Sequence, residues 1–367
     1  MNYINKPRIL FLCGREAAYP LNRFLIDSAR TFARVDVIDE DGPGHSIVRR
    51  SLRLAIEAVP RMLSGKYDLV LVGFFGHFLM LPAGLLRRSP VLFHPFISAH
   101  ETLVEDRETY RPGSLPARLA LRLDRTACYL ADHLLMDTQA NIEFFSRAFE
   151  IPAERFTRLY IGADERLFRP RPRPGSEGRV VALFHGSYLP LHGIDVILHA
   201  ASRLDHRDDL VFRLVGKGMG YERITALAAE LGLRNIEFRD FVPLETLPEV
   251  IAGADICLGG HFGTSDKALR VIAGKTFQDL AMGRATVVGD TRANRELLTH
   301  GEDAWFVPPS DPDALAAALN RLADDGDLRD RLGTAAAATF RANASLEVLT
   351  PQLKKLIEGM IETSKKG

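Results

Sequence analysis

The chain has 367 residues, of which 46% are hydrophobic, and its 47 basic residues balance its 47 acidic ones. This length suits two α/β domains, each with its own core. The balanced charge creates no bulk field that would favour nucleic acid, so we expect no nucleic-acid partner. The three cysteines fit neither a disulfide framework nor a CxxC metal site, and they favour a reducing compartment.

The N-terminus begins with the polar segment MNYINKPR, followed by a short apolar run. That run lacks the hydrophobic region and cleavage site of a signal peptide. No segment approaches the roughly 20 apolar residues of a membrane helix. We therefore expect a soluble cytoplasmic protein.

Apolar runs of strand length alternate with helical patterns in the first half of the chain. The predicted strands are RILFLC (8–13), YDLVLVGF (67–74), PVLFH (90–94) and HLLMDT (133–138), and a clear helix is PLNRFLIDSARTF (20–32). This alternation predicts βαβ units on a parallel sheet.

The alternation stops at residues 162–178, where proline, arginine and glycine crowd together, and this composition predicts an interdomain linker. It resumes with the predicted strands VVALFHG (180–186), VFRLVG (211–216), IEFRDF (236–241), ADICLGG (254–260) and ATVVGD (285–290). We predict an N-terminal domain over 1–168, a linker over 169–178, a second domain over 179–343 and a helix within 344–367. Ligands of such sheets bind outside the carboxyl ends of the strands.

Two turns of the second domain are candidates for an anion site. Gly186 lets a phosphate approach the backbone and the Ser187 hydroxyl can donate to it, although an ordinary strand-to-helix turn fits as well. The next strand ends in VGKGMG (215–220), where Tyr221 stands in place of the third glycine of a dinucleotide fingerprint. A nicotinamide site is therefore disfavoured.

Residues 263–290 contain the most informative segment. Thr276 followed by Asp279 predicts a capping box that begins a helix with free amide groups. These amides and the charge of Lys275 suit a phosphate. The alternative is that Lys275 is an ordinary solvated surface lysine.

Several segments, taken in order, resemble the nucleotide-binding domain of glycosyltransferase family four, the glycosyl transferases group one type. They are residues 186–193, VGKGMGYERI (215–224), DFVPLETLPEVIAGADICL (240–258), KTFQDLAMGRATVVGD (275–290) and GEDAWFVPPSDPDALAAAL (301–319). Weaker support comes from residues 94–107, 111–141 and 161–170.

The resemblance implies the GT-B fold, in which two doubly wound α/β, Rossmann-like domains face a central cleft and the C-terminal helix crosses back to the first domain. It also implies a retaining, metal-independent hexosyltransferase with no cofactor, which uses a nucleotide-diphosphate sugar. The implied acceptor is a saccharide or a lipid-linked molecule, and the implied pathway is the synthesis of bacterial surface polysaccharide or glycolipid.

This chain departs from the family at the donor site. Arg270 and Gln278 stand where members typically carry two glutamates, and Ser187 and His192 replace an arginine and a lysine. We infer that Lys275, supported by Arg270, neutralises the diphosphate. The implied donor contacts are Gly186, Ser187, His192, Gly216, Lys217, Phe241, Val242, Thr276 and Gln278.

On the acceptor side, the family places a histidine or aspartate near the sugar, and His94 ends a predicted strand. With Lys275 and Arg270 it forms the predicted catalytic set, although a lone histidine can also be a satisfied polar residue. Glu105 and Asp106 are candidates for orienting an acceptor hydroxyl, or they form a solvated surface. Gly14 lies where the family has its acceptor loop, and Arg15 follows as an anion contact.

Metal ligands are not expected. Three Asp-x-Asp pairs occur, at 39–41, 311–313 and 325–327, but short acidic pairs arise by chance, and Asp311 is better placed as a helix N-cap.

Two other functions fit the residues. A nucleotide-sugar epimerase would share the architecture and need no acceptor, whereas a non-catalytic nucleotide-sugar sensor or scaffold would explain the changes at Arg270 and Gln278. Peripheral membrane contact also stays open, because residues 45–66 and 118–125 are basic and amphipathic. The alternative for both is a core-facing helix with a solvated arginine face.

Overall fold

The structure is a computed structural model that describes residues 6–14, 16–39, 47–106, 109–173 and 178–366, without the side chains of residues 47, 48, 105 and 106. The chain divides into two compact units. Unit 1 contains residues 1–161 and 347–367, and unit 2 contains residues 162–346.

Unit 1 is built on a six-stranded parallel sheet with the order β2-β1-β3-β4-β5-β6. Its strands are β1 (Arg8–Leu12), β2 (Arg34–Ile38), β3 (Leu69–Val72), β4 (Val91–Phe93), β5 (His133–Met136) and β6 (Phe156–Arg158). Its helices are α1 (Pro20–Phe32), α2 (Ile47–Leu63), α3 (His77–Leu85), α4 (Ala99–Glu101), α5 (Leu115–Leu130) and α6 (Gln139–Phe149). The four strands and the helix predicted for this half are confirmed.

Unit 2 carries a second six-stranded parallel sheet, with the order β12-β11-β10-β7-β8-β9. Its strands are β7 (Val180–His185), β8 (Leu210–Val215), β9 (Ile236–Arg239), β10 (Ile256–Leu258), β11 (Ala285–Gly289) and β12 (Trp305–Val307). The helices are α7 (Ile194–Arg203), α8 (Tyr221–Glu230), α9 (Leu247–Ala252), α10 (Asp266–Arg270), α11 (Gly274–Ala281), α12 (Arg292–Arg295), α13 (Pro312–Asp324) and α14 (Gly326–Asn343); the C-terminal helix α15 is Leu346–Lys366.

Burial of both sheet faces explains why these strands form. All four residues of β3 and four of the five residues of β1 are buried, as parallel strands covered by helices require. In β7 five of six residues are buried. Each unit has its own apolar core along its sheet, which confirms the doubly wound α/β class.

The strand orders place one switch point in each sheet. In unit 1, β1 lies between β2 and β3; in unit 2, β7 lies between β8 and β10. At these positions the connections that follow two adjacent strands run to opposite sides of the sheet. A crevice therefore forms at the carboxyl ends of these strands. Gly14 follows β1 and Gly186 follows β7, so both candidate turns lie at switch points.

Within the described ranges, no helix is both long enough and apolar enough to cross a bilayer.

Candidate active site

The turn after β7 packs directly against the turn after β8. Gly186 and Gly216 have φ values of +136° and +134°, which L side chains rarely adopt. A Cβ atom at Gly216 would collide with the Gly186 carbonyl oxygen. Gly216 therefore has a structural role in bringing the two strand ends together.

Lys275 lies buried beside this turn, with only 8% of its surface exposed. A Cβ atom at Gly186 would lie 3.2 Å from the Lys275 Cε, so the glycine makes room for the lysine stem. The ammonium is 4.4 Å from the centre of the Phe184 ring. Burial lowers the pKa of Lys275 to about 7, although the negative charge of Asp279 acts to raise this pKa. The alternative of a solvated surface lysine is therefore wrong.

Two histidines complete a buried cluster with Lys275, which we call the Lys275–His192–His261 cluster. Lys275 Nζ is 2.9 Å from His192 Nδ1, and that nitrogen is 3.1 Å from His261 Nδ1. The imidazole rings stack with centroids 5.0 Å apart. Burial first, and then the charge of Lys275, hold the pKa of both histidines well below the usual value.

These pKa directions determine how the cluster is protonated. Both imidazoles are neutral near pH 7, so Lys275 is the group of the cluster that titrates there. When Lys275 is an ammonium it donates to His192 Nδ1, whose single lone pair accepts this hydrogen bond. The cluster therefore presents one switchable positive charge at the carboxyl edge of the unit 2 sheet.

The helix that carries Lys275 begins differently from the prediction. Helix α11 begins at Gly274 with Ala273 as N-cap and no side-chain cap, so the predicted Thr276–Asp279 capping box is wrong. Thr276 is the third residue of this helix and is fully buried, and its amide donates to the Ala273 carbonyl. Asp279 is instead drawn into a buried pair with His185, whose Nε2 is 2.8 Å from Oδ1.

The remaining predicted donor residues differ in their burial and in their contacts. Arg270 ends α10 and is 6% exposed, and Gln278 is half-buried on α11, one turn after Lys275. Ser187 is exposed on the β7 turn. Lys217 pairs with Asp240, its Nζ 2.7 Å from Oδ1, and this hydrogen bond raises the pKa of the lysine.

Phe241 and Val242 follow strand β9 at the end of the sheet. Phe241 is 75% exposed, and Val242 is half-buried. The structure therefore brings Gly186, Gly216, His192 and Lys275 into one group, whereas Lys217 pairs with Asp240 and Phe241 follows the edge strand β9.

At the carboxyl edge of the unit 1 sheet, Gly14 and His94 are both buried. A Cβ atom at Gly14 would collide with the backbone of Phe75 and Gly76, so a glycine is required there. His94 donates its amide to the Val72 carbonyl at 2.9 Å. Burial lowers its pKa to about 4, and in the described part of the chain its Nδ1 has no hydrogen-bond partner. His94 is thus a neutral polar group at the carboxyl end of its strand.

Arg15 lies outside the described residues, and so do the side chains of Glu105 and Asp106. Their predicted acceptor roles stay predictions.

Sequence reasoning missed an aromatic cluster at this edge. Phe74 stacks on Tyr19 with centroids 4.9 Å apart and meets Phe96 edge-on at 5.4 Å. Phe75 and Phe96 have φ values of 65° and 62°, which cost energy for a residue with a bulky side chain. Phe75 directly follows a predicted strand and Phe96 comes two residues after another, and this position is the signal that identifies them.

His261 and Lys267 were missed as well. His261 comes shortly after β10, beyond a pair of glycines, and Lys267 is 8% exposed on α10. The position of His261 just after a predicted strand is a signal that could have identified it. Its proximity to Lys275, however, is visible only in the fold.

Each acidic pair has a described residue with structural contacts, and Asp39 of the first pair accepts from the Ala17 amide at 2.7 Å and from Arg50 at 3.0 Å. Asp311 accepts the Ala314 amide at 2.8 Å as the N-cap of α13, which confirms its interpretation as a cap. Asp325 caps α14 through the Leu328 amide at the same distance. Asp41 lies outside the described residues. In the described ranges, no group of three or more His, Cys, Asp or Glu side chains is arranged to hold a metal.

Comparison with known proteins shows what the chain is similar to. The family model for "Glycosyl transferases group 1" matches residues 179–325. The alpha-D-kanosaminyltransferase of Streptomyces kanamyceticus is 27% identical over 270 residues, which cover 70% of this chain and 66% of that protein. The MMP alpha-(1->4)-mannosyltransferase of Mycolicibacterium hassiacum is 27% identical over 268 residues, covering 69% of this chain and 62% of that protein. The matched region therefore spans less than two thirds of each relative.

Solved structures share the whole fold. Sucrose-phosphate synthase from Thermosynechococcus elongatus superposes with a TM-score of 0.76 at 16% identity, over 97% of this chain and 100% of that one. Anabaena HepE in complex with UDP-glucose gives a TM-score of 0.72 at 17% identity, over 96% and 100%. The family model thus covers most of unit 2, and the likeness to these structures shows that the chain has the GT-B fold.

Proposed function

We propose that the chain is a retaining hexosyltransferase that moves a sugar from a nucleotide-diphosphate sugar to a saccharide or lipid-linked acceptor without a metal or cofactor. The buried Lys275–His192–His261 cluster carries this proposal. It lies within the region that matches the family model and provides a positive charge at a strand switch point, where an anionic ligand is expected.

The cluster supports the release of a diphosphate. In the reaction the bond between the anomeric carbon and the diphosphate oxygen breaks while the acceptor hydroxyl oxygen forms the new bond to that carbon. The hydroxyl proton passes to the departing diphosphate oxygen, and the nucleoside diphosphate leaves with its remaining negative charge. A fixed ammonium at this point stabilises the developing charge more strongly than water would. The start of α11, next to Lys275, adds the positive end of a helix dipole.

We assign the acceptor to the carboxyl edge of the unit 1 sheet. The rings of Phe74 and Phe96 lie at this edge, and His94 is a hydrogen-bonding group there that carries no charge above about pH 5, since its pKa is about 4. A sugar or another uncharged group suits this edge better than an anion does. The relatives named as kanosaminyl- and mannosyltransferases and the UDP-glucose complex of HepE support a sugar donor.

A cytoplasmic location, peripheral contact with the inner face of the membrane and a role in surface polysaccharide or glycolipid synthesis belong to the same proposal. Cys13, Cys128 and Cys257 are buried free thiols, a state typical of a reducing compartment.

A two-stage experiment tests the function. Thermal stabilisation against a panel of nucleotides and nucleotide sugars should show a shift with one nucleoside diphosphate and its sugar, because a ligand that binds the folded state stabilises it. Transfer from that donor is then followed with saccharide acceptors, with and without EDTA, and the anomeric configuration of the product is determined by NMR. Turnover of the donor sugar without an acceptor would support an epimerase instead, whereas tight binding without turnover would support a scaffold.

A further inference from the structure

One face of unit 1 exposes an unusual amount of apolar surface. Of the thirteen large hydrophobic side chains that are exposed among the described residues, nine lie within α2, α3 and α5. Single exposed hydrophobic residues are normal, but a concentration of them marks an interaction site.

These three helices form a continuous surface, because α3 contacts both α2 and α5. At the second contact the helices approach closely, since a Cβ atom at Gly84 would lie 2.6 Å from the Leu130 Cβ. We call the solvent side of the three helices the α2–α3–α5 face.

Helix α2 has two separate apolar stripes. Leu54, Ala58 and Met62 point into the core and are at most 3% exposed. Leu52 and Ile56, one turn apart on another side of the helix, are 62% and 67% exposed. A helix that needed only to cover the sheet would carry polar residues at these positions.

Helix α5 repeats this arrangement. Leu115 and Leu119, again one turn apart, are 70% and 53% exposed, and Tyr129 on the same side is 61% exposed. On α3, which contacts both helices, Leu85 is 71% exposed. Each of the three helices of this face therefore exposes large apolar side chains.

The charge on this face is positive. Arg118 and Arg122 on α5 are exposed. The acidic residue of α5, Asp124, is fully buried. On α2, Glu57 accepts a hydrogen bond from Arg61 on its own helix.

We propose that the α2–α3–α5 face docks on a bilayer that contains anionic lipids, with its leucines in the headgroup region and its arginines at the lipid phosphates. A basic amphipathic surface with large apolar side chains suits this interface. A second copy of the chain fits poorly, because a two-fold contact would place the same arginines opposite one another. The inference rests on the proposed function and deepens it, because a membrane-bound enzyme would meet a lipid-linked acceptor at this surface.

Vesicle sedimentation of the full chain tests the proposal. We expect binding to phosphatidylcholine vesicles that contain phosphatidylglycerol, weak binding to pure phosphatidylcholine, and a loss of binding as salt increases from 50 to 500 mM, roughly the range in which screening grows strong. Leu52→Ser with Ile56→Ser, and separately Arg118→Glu with Arg122→Glu, should each weaken the partition at least tenfold.

The controls separate this surface from general charge and from the donor site. Arg331→Glu with Arg341→Glu makes the same charge change on α14 of unit 2, where both arginines are exposed, and it should leave the partition within about twofold. All variants change exposed residues, so each should keep the thermal shift with the nucleoside diphosphate.

Equal partition of the wild type and both face variants would overturn the proposal. So would a wild type that responds to nucleotide but ignores anionic vesicles, and concentration-dependent dimerisation abolished by Leu52→Ser with Ile56→Ser would identify a second copy as the occupant. The proposed transfer reaction would survive each of these outcomes, because it is measured separately with a water-soluble acceptor.

Discussion

The two sheets of this chain share one architecture, but their carboxyl edges differ in chemistry. In unit 2 the edge holds Lys275 beside two neutral histidines, with Arg270 and Lys267 also buried on α10. In unit 1 the corresponding edge holds the Phe74 and Phe96 rings and the neutral His94. The same strand-end position can therefore serve an anion or an uncharged group, depending on a few side chains.

This difference shows how a net charge of zero is compatible with an anion site. The positive charge of unit 2 is local and is held by contacts between residues that are distant in sequence. Because it is also partly desolvated, salt screens its interaction with a nearby ligand only weakly. Variants at the two edges should accordingly change different steps, and the following experiments examine that separation.

The largest expected effect is on turnover at the unit 2 edge. Lys275→Ala should lower kcat by about two to three orders of magnitude, because it removes one preorganised charge contact to the leaving group. Steady-state kinetics with saturating donor measures this. Lys354→Ala, which removes an exposed lysine of α15, is the control and should be neutral; near-normal turnover of a folded Lys275→Ala variant would remove Lys275 from the mechanism.

Burial of Lys275 should also cost stability. Its pKa falls from 10.5 to about 7 on folding, so the unfolded chain holds an extra proton between these pH values and stability rises with pH across that window. Lys275→Met removes this cost, which is on the order of 4 kcal/mol at pH 7 and falls below about 1 kcal/mol by pH 10. We expect the Tm of unit 2 to rise by about 5 °C or more at pH 7.

Calorimetry at pH 7 and pH 10 tests this expectation. A Tm difference that is the same at both values would show that packing, and not the charge, separates Lys275→Met from the wild type.

The affinity for the donor should depend on the protonation of Lys275. Between pH 7.5 and pH 9 the terminal phosphate is ionised while Lys275 loses its charge, so the Kd for the nucleoside diphosphate should rise up to about tenfold per pH unit. The two histidines do not interfere, because their pKa values lie well below this range. Lys275→Arg keeps a permanent charge and should flatten the profile in isothermal titration; a wild type with a flat profile would contradict the assignment.

Most of the fold was predictable, because buried parallel strands appear as continuous apolar runs. The nine predicted strands are present. The missed strands are short or weakly patterned: β2 alternates charged and apolar residues, and β6 and β12 have three residues each. Helix α2 was predicted in part, but its spacing did not reveal that Leu52 and Ile56 lie outside the core.

The site was predictable at the level of strand ends and no further. Lys275 and His192 are 83 residues apart, and Asp279 and His185 are 94 apart, so neither contact follows from local spacing. The capping box was wrong because α11 begins at Gly274, before Thr276, so Thr276 and Asp279 do not occupy the N-cap and N3 positions. Burial of Lys275, which sets its pKa, depends on the same tertiary packing.

The smallest expected effect lies at the unit 1 edge. His94 is neutral above about pH 5, since its pKa is about 4, so it can contribute one uncharged hydrogen bond worth about 1 kcal/mol. His94→Phe should therefore lower kcat/KM for the acceptor roughly five- to tenfold, and His94→Gln, which keeps a polar group, should lower it less. Neither variant should alter the Kd of the nucleoside diphosphate, and the ratio of wild type to variant in kcat/KM should be equal at pH 6 and pH 8.

The matched control is His206→Gln, which changes an exposed histidine of unit 2. A ratio that changes between these pH values would mean that His94 carries a charge in the working enzyme, and the contrast between a charged edge and a neutral one would no longer hold.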